Sequence, residues 1–312
     1  MKKIIATTIL LTTFLLTNQA SAKQLQFAHF SDIHLSLTEK GTTNLTEDFL
    51  KKAIQEVNKN KKIKFVIFSG GNINSADKKN LKAFLKLANK LDKPYYVTIG
   101  DKEVLRRKNF SKKQFMHTVW RHHMQMLFKK PNYVFKPNRE LVFISVDGTN
   151  EVIPMQSGYF KPETLDWLDK QLTKYKNKKV VLVQHFPIIP PKSNVTKEIA
   201  EPEKYFHVIN GHENVIAILS GHFHKNNTIY KKGIYHLSAP AFAASPHEYK
   251  IITIEYEPKY LFSNPAEFSI EQQIVAMEEI PEDIPTDNGI DEETMNTQTE
   301  VDSYQPTFFT GN

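Results

Sequence analysis

Apolar runs of strand length punctuate the chain at residues 25–30, 65–68, 95–99, 133–135, 141–146, 180–183 and 215–219. The run at 65–68, Phe-Val-Ile-Phe, is continuous rather than alternating, as in a strand covered on both faces. Between these runs the spacing changes to that of helices. Phe49, Leu50, Ala53, Ile54 and Val57 fall on one helical face, with Thr46 in the N-cap position. Leu81, Phe84, Leu85, Ala88 and Leu91 mark a second helix. Residues 111–127 predict a third, opened by a Ser111/Gln114 capping box, and 162–172 a fourth with Pro162 at its first position. This strand–helix–strand rhythm predicts an α/β sandwich whose first half is largely parallel. The closely spaced short runs at 229–230, 234–237, 251–256 and 268–275 predict antiparallel strands that complete a second sheet.

The two ends have a different character. Lys2-Lys3, an apolar stretch at 4–16 and the small residues Ala20-Ser21-Ala22 predict a secretory signal peptide over residues 1–22. The apolar stretch is too short to span a bilayer, and no later run is long enough. No cysteine follows the expected cleavage site, so the expectation is bacterial export to the periplasm or beyond, without a lipid anchor or a transmembrane segment. Residues 23–277 are expected to form one domain. From Glu278 onwards, acidic residues interspersed with Pro, Thr and Asn predict an acidic disordered tail over 278–312.

Composition narrows the chemistry. The chain has no cysteine, so the fold rests on its core alone and thiolate is excluded as a nucleophile or metal ligand. A metal would be held by Asp, Glu, Asn or His, a set that suits Zn, Mn, Fe or Co. The net charge is +7, but residues 260–312 hold twelve Asp or Glu and no Lys or Arg, which leaves +19 on residues 1–259. Nearly all of that charge is lysine, with Arg only at 106, 107, 121 and 139, whereas bidentate phosphate recognition favours Arg. No specific nucleic-acid partner is predicted. His117, His122 and His123 lack the i, i+4 spacing of ligands on one helical face and are expected to be solvated or interfacial.

Chemistry concentrates where five apolar runs end. The turns are Ser31-Asp32-Ile33-His34, Ser69-Gly70-Gly71-Asn72, Ile99-Gly100-Asp101-Lys102-Glu103, Gln184-His185-Phe186-Pro187 and Gly221-His222-Phe223-His224. Ligands of open α/β sheets bind outside the carboxyl ends of strands. If these five strands are parallel neighbours, Asp32, His34, Asp101, His185, His222 and His224 converge on one edge. Nitrogen and oxygen donors in that number point to one or two divalent transition metals.

The order and spacing of these blocks resemble the calcineurin-like metallophosphoesterase superfamily, in particular its bacterial cyclic-nucleotide-phosphodiesterase-like branch. That family's pattern runs Asp-x-His, Gly-Asp, Gly-Asn-His-Asp/Glu, His, Gly-His-x-His. Phe30-Ser31-Asp32-Ile33-His34-Leu35, Leu165-Asp166-Trp167-Leu168 and His185-Phe186-Pro187 extend the likeness over roughly residues 25–275. The resemblance implies a four-layer α/β/β/α sandwich of two mixed sheets flanked by helices. It implies a metal-dependent phosphoesterase, exported if the signal peptide is cleaved as expected, that hydrolyses small phosphate mono- or diesters by metal-bound hydroxide. Carried over residue by residue, Asp32, His34 and His224 form a first metal site, and Asp101, His185 and His222 a second. Two blocks depart from the pattern. Gly71 stands where the family has the Asp that bridges two metals. Asp101 and Lys102 replace a ligating Asn and the His that contacts substrate phosphate. Lys102 is thus the candidate catalytic residue, a point charge for a phosphate oxygen. The same departures define an alternative, a catalytically impaired relative that binds a metal or a phosphorylated ligand without turnover.

Overall fold

Side chains that alternate along the central strands serve two separate cores. The computed structural model describes residues 22–37, 46–123, 129–152, 156–257 and 268–277. The chain divides into two units, 1–278 and 279–312. The second unit, the acidic tail and the signal peptide except for its last residue lie outside the described residues.

The first sheet runs β11-β10-β1-β2-β3. Strands β1 (Lys23–Phe30), β2 (Ile63–Phe68) and β3 (Tyr95–Val97) are parallel, as predicted. Strand β10 (Glu248–Tyr256) lies antiparallel to β1, and β11 (Phe268–Ala276) antiparallel to β10. The second sheet runs β4-β5-β6-β7-β9-β8. Its β5 (Leu141–Ser145), β6 (Lys179–Val183), β7 (Val215–Ser220) and β9 (Ile234–Ser238) are parallel. The edge strands β4 (Tyr133–Phe135) and β8 (Asn227–Lys231) are antiparallel to their neighbours. The expectation that all the late strands complete the second sheet is corrected here. β10 and β11 return to cover the open edge of β1, which would otherwise present unpaired backbone groups, and β9 is parallel rather than antiparallel to β7.

Aromatic rings fill the space between the sheets. Phe27 and Phe65 stack with centroids 4.9 Å apart, and Phe143 meets each of them edge-on at 5.3 Å. Tyr96 stacks on Phe135 at 3.5 Å. The outer faces carry the helices, giving the four-layer α/β/β/α sandwich. On the first sheet lie α1 (Thr46–Lys59) and α2 (Lys78–Ala88), with Phe84 edge-on to Phe68, and α3 (Lys112–His122) beside α2. On the second, α4 (Pro162–Lys174) and α5 (Pro202–Asn210) bury Leu165, Leu168, Leu172, Tyr205 and Ile209 against Ile144, Leu182 and Ile218.

The Ser111/Gln114 capping box forms as expected. Thr46 is the first residue of α1 rather than its cap, and the predicted third helix ends at His122, with 124–128 outside the described residues. His123 is buried, its ring stacked 3.6 Å from that of Tyr95, in line with an interfacial role. The short α5 was not anticipated; Pro202 at its start and the Tyr205/Ile209 spacing were its signals. Among the described residues, no helix is long and apolar enough to cross a membrane.

One charge is buried outside the loops that carry the candidate ligands. Lys250 on β10 is fully covered and pairs in register with His29 on β1. Its ammonium donates to Gln272 Oε1 at 2.9 Å and the Asn227 carbonyl at 3.3 Å, with no carboxylate partner among the described residues. Burial pushes Lys250 down to about 7. Burial first, then the charge of Lys250, takes His29 down to about 3. An unfolded chain holds the lysine proton up to about pH 10.4. Between about pH 7 and 10 the unfolded state therefore binds more protons, and Lys250 makes stability rise with pH through that window. Lys250→Met is expected to flatten this rise and to add about 1–3 kcal/mol at pH 7, read from urea unfolding at pH 7, 8 and 9. A variant that keeps the wild-type slope would assign the effect to another group.

Candidate metal centre

The five predicted turns do converge, but from two sheets rather than one edge of a single sheet. Those after β1, β2 and β3 face those after β6 and β7 across the sandwich. Backbone bonds lay the first two side by side: Asp32 N–H donates to the Gly70 carbonyl at 2.9 Å and His34 N–H to the Gly71 carbonyl at 2.7 Å. The carbonyls of Ser31 and Asp32 accept from Phe242 and Ala243, each at 3.0 Å. Across the seam, Gly221 N–H donates to the His185 carbonyl at 2.9 Å. A Cβ on Gly221 would collide with Ser31 Oγ and lie 2.6 Å from Asp32 Oδ2, so only glycine lets the loops meet.

Four of the six candidate residues hold left-handed backbone: Asp32 at φ 52°, His34 at 47°, His222 at 69° and His224 at 56°. Asp and His tolerate this region better than most residues, yet each instance costs about 1 kcal/mol or more. The backbone bonds above over-determine these turns, and the strain aims the side chains inward. Asp32, His34 and His224 offer one donor atom each within 4.8 Å of one another, and so do Asp101, His185 and His222.

Asp32 is at the centre. Its Oδ2 accepts from Ser31 Oγ at 2.7 Å and from His222 N–H at 2.8 Å. Its Oδ1 lies 3.5 Å from His224 Nε2, 3.6 Å from His34 Nε2 and 3.9 Å from His185 Nε2. Burial alone would raise the Asp32 carboxyl, but the surrounding imidazoles hold it well below the carboxylate range. Asp101 behaves alike, burial opposed by the facing His185 and His222, with its Oδ1 3.3 Å from His185 Nε2. His185 Nδ1 lies 3.1 Å from the Ser69 carbonyl and so carries a hydrogen, leaving Nε2 directed at the carboxylates. Burial pulls His185 down, yet Asp32 and Asp101 outweigh it and lift the ring to about 9. His222 is driven to about 3, first by burial and then by His185. Lys102 is exposed at the rim, and its charge adds to burial in lowering His34.

Buried atoms of this cluster without a hydrogen-bond partner include Asp32 Oδ1, His185 Nε2 and His222 Nε2. Unsatisfied buried polar atoms cost about 1–3 kcal/mol each, and carboxylate oxygens and imidazole nitrogens gathered in this way suit a divalent cation, which would take the place of the extra proton on His185.

Residues 25–226 match the model of the calcineurin-like phosphoesterase family. The chain belongs to this family. It is 26% identical over 247 residues to a protein of Arcobacter nitrofigilis named "Probable glycerophosphodiester phosphodiesterase GpdQ", which covers 74% of this chain and 82% of that relative. Its fold is similar to that of a dimetal phosphatase from Danio rerio, with a TM-score of 0.55 and 16% identity over 81% of this chain and 98% of that one. It is also similar to that of GAP50, the anchor in the inner membrane complex of Plasmodium, with a TM-score of 0.51 and 13% identity over 82% and 90% of the two chains. At such identities the two structures speak for the fold alone.

In this phosphoesterase a further acidic residue supports the loops from behind. Glu103 is fully buried, and its carboxylate accepts the backbone N–H groups of Asn72, through a very short bond, and Gly100, at 2.9 Å. Burial lifts it to about 7, against the pull of His185 and these two donors. Its place after Asp101 and Lys102 was the available signal, but nothing in the sequence shows that it ties the second turn to the third. Glu103→Ala strands two buried N–H groups and is expected to cost about 2–4 kcal/mol, and Glu103→Gln roughly half that, measured by urea unfolding. An alanine variant as stable as wild type would mean that water reaches both groups.

Proposed function

We propose that this phosphoesterase hydrolyses small phosphate mono- or diesters at a centre of one or two divalent ions. Asp32, His34 and His224 hold one set of positions and Asp101, His185 and His222 the other, with Mn, Fe, Zn or Co as the metals the donors suit. The observation that carries this reading is the pair of donor sets, with the unpartnered Asp32 Oδ1 and His185 Nε2 facing one another at 3.9 Å between them. A divalent ion supplies Lewis acidity to a phosphoryl oxygen and acidifies a water that it holds. The residues supply the rest. The Ser69 carbonyl holds the Nδ1 hydrogen of His185, so Nε2 is the nitrogen that would give up its proton to a cation. Lys102, exposed at the rim, draws the phosphate in as a point charge and offsets the charge that develops on its oxygens. The relative named as a glycerophosphodiester phosphodiesterase supports diesters within the substrate class. Export to the periplasm or beyond rests on the charged, apolar and small-residue pattern of residues 1–22.

Gly71 favours a second reading, in which the same centre binds a metal or a phosphorylated ligand without turnover. Aryl phosphate mono- and diesters with Mn(II) separate the two. Hydrolysis is expected, falling about 100-fold or more in His222→Ala. Lys102→Ala is expected to raise KM about tenfold with a smaller change in kcat. Rates unchanged by His222→Ala would remove this site from the reaction. Metal uptake with no turnover of any ester would select the second reading.

A further inference from the structure

We infer that the bridge lost at position 71 has moved to Asp32, whose Oδ1 is a single carboxylate oxygen shared between the two donor sets. This rests on the reading that those sets hold metal ions.

Four observations lead there. The first is position: Oδ1 reaches His34 Nε2 and His224 Nε2 on one side at 3.6 and 3.5 Å, and His185 Nε2 on the other at 3.9 Å. Metal bonds of about 2.0–2.2 Å at tetrahedral angles separate ligand atoms by about 3.3–3.6 Å; the two contacts on the first side have that spacing, and the 3.9 Å contact to His185 needs an angle at the ion somewhat wider than tetrahedral. The second is fixation. Oδ2 is tied by Ser31 and by the His222 backbone, so the carboxylate cannot rotate and Oδ1 is the atom left without a hydrogen-bond partner. The third is space. A Cβ at Gly71 would lie 2.5 Å from Asp32 Oδ1 and 2.8 Å from its Cα, and Gly71 has φ 66°. The volume in which a side chain at 71 would begin is filled by Asp32 itself. The fourth is charge: Asp32 and Asp101 are the only carboxylates in the two sets, so two dications with one anion apiece would repel with little between them. An anionic oxygen held between the two positions offsets that repulsion.

Asp32→Asn tests this almost isosterically. The Oδ2 position faces two donors, so the amide turns its oxygen there and places an NH2 group, which is no ligand, at the Oδ1 position. Manganese titration of the full chain is followed by calorimetry and by electron paramagnetic resonance. Wild type is expected to bind two Mn(II) with an exchange-coupled spectrum. His224→Ala and His222→Ala should each retain one uncoupled ion. Asp32→Asn should weaken both binding steps tenfold or more, since it removes a ligand from each. The inference is overturned if Asp32→Asn keeps one step at wild-type affinity. It is equally overturned if two ions in the wild type are uncoupled, or if only one binds. The spectrum of unmutated protein decides even if a variant fails to fold. Because none of these readouts is activity, a coupled manganese pair without ester hydrolysis would remove the hydrolase reading and leave the shared oxygen standing.

Discussion

The bond from the His222 backbone to Asp32 Oδ2 is the contact on which the centre depends, because it fastens the loops of one sheet to those of the other. Two β-sheets packed through aromatic rings fix the distance between their faces but not the relation of their rims. At the rim, a glycine on one side and a Ser-Asp pair on the other approach so closely that no side chain fits between them. Once that seam is closed, the turn bearing His185 joins it through the Gly221 amide, and the turn bearing Gly70 and Gly71 joins through the amides of Asp32 and His34. The third turn enters through Glu103, whose buried carboxylate holds Gly100 to Asn72.

Strain and satisfaction are distributed unequally across this seam. The backbone is well bonded throughout, whereas the side chains it directs are left with buried polar atoms that lack a hydrogen-bond partner, and four of their residues sit at positive φ. A fold that minimised its own energy would place asparagine or glycine at those turns and would not crowd imidazoles around a buried carboxylate. That the structure keeps both costs points to stabilisation from something that binds there, which is the physical ground for preferring a metal over a purely structural cluster.

Much of this was legible in the sequence because its signals are local. Strand-length apolar runs, the helical faces at 49–57 and 81–88, the Ser111/Gln114 box and the six donors at turn positions each declare themselves within a few residues. What stayed hidden is set by long-range choice. The assignment of β10 and β11 to the first sheet depends on which strand edge is left open, and no property of residues 248–276 states that. Glu103 is the acidic residue that ends the third block, but its hold on the second turn shows only once the backbone of Asn72 is placed against it. The nine-residue α5 is too short for its periodicity to stand out, although its Tyr205 hydroxyl donates to the side chain of Gln184, the residue before His185, at 2.5 Å.

Gly71 shows most clearly how a residue-by-residue comparison and a structure differ. By comparison alone it is a missing carboxylate, and the remedy is to put one back. In space it is a position where the chain turns at positive φ against the Asp32 backbone, leaving no room for a Cβ unless Asp32 moves. Moving Asp32 would break its bond to His222, one of the bonds that close the seam between the sheets. The substitution at 71 and the posture of Asp32 are therefore one feature, not two. Restoring a carboxylate at 71 requires Asp32 to shift as well, because a Cβ there would lie 2.5 Å from Asp32 Oδ1.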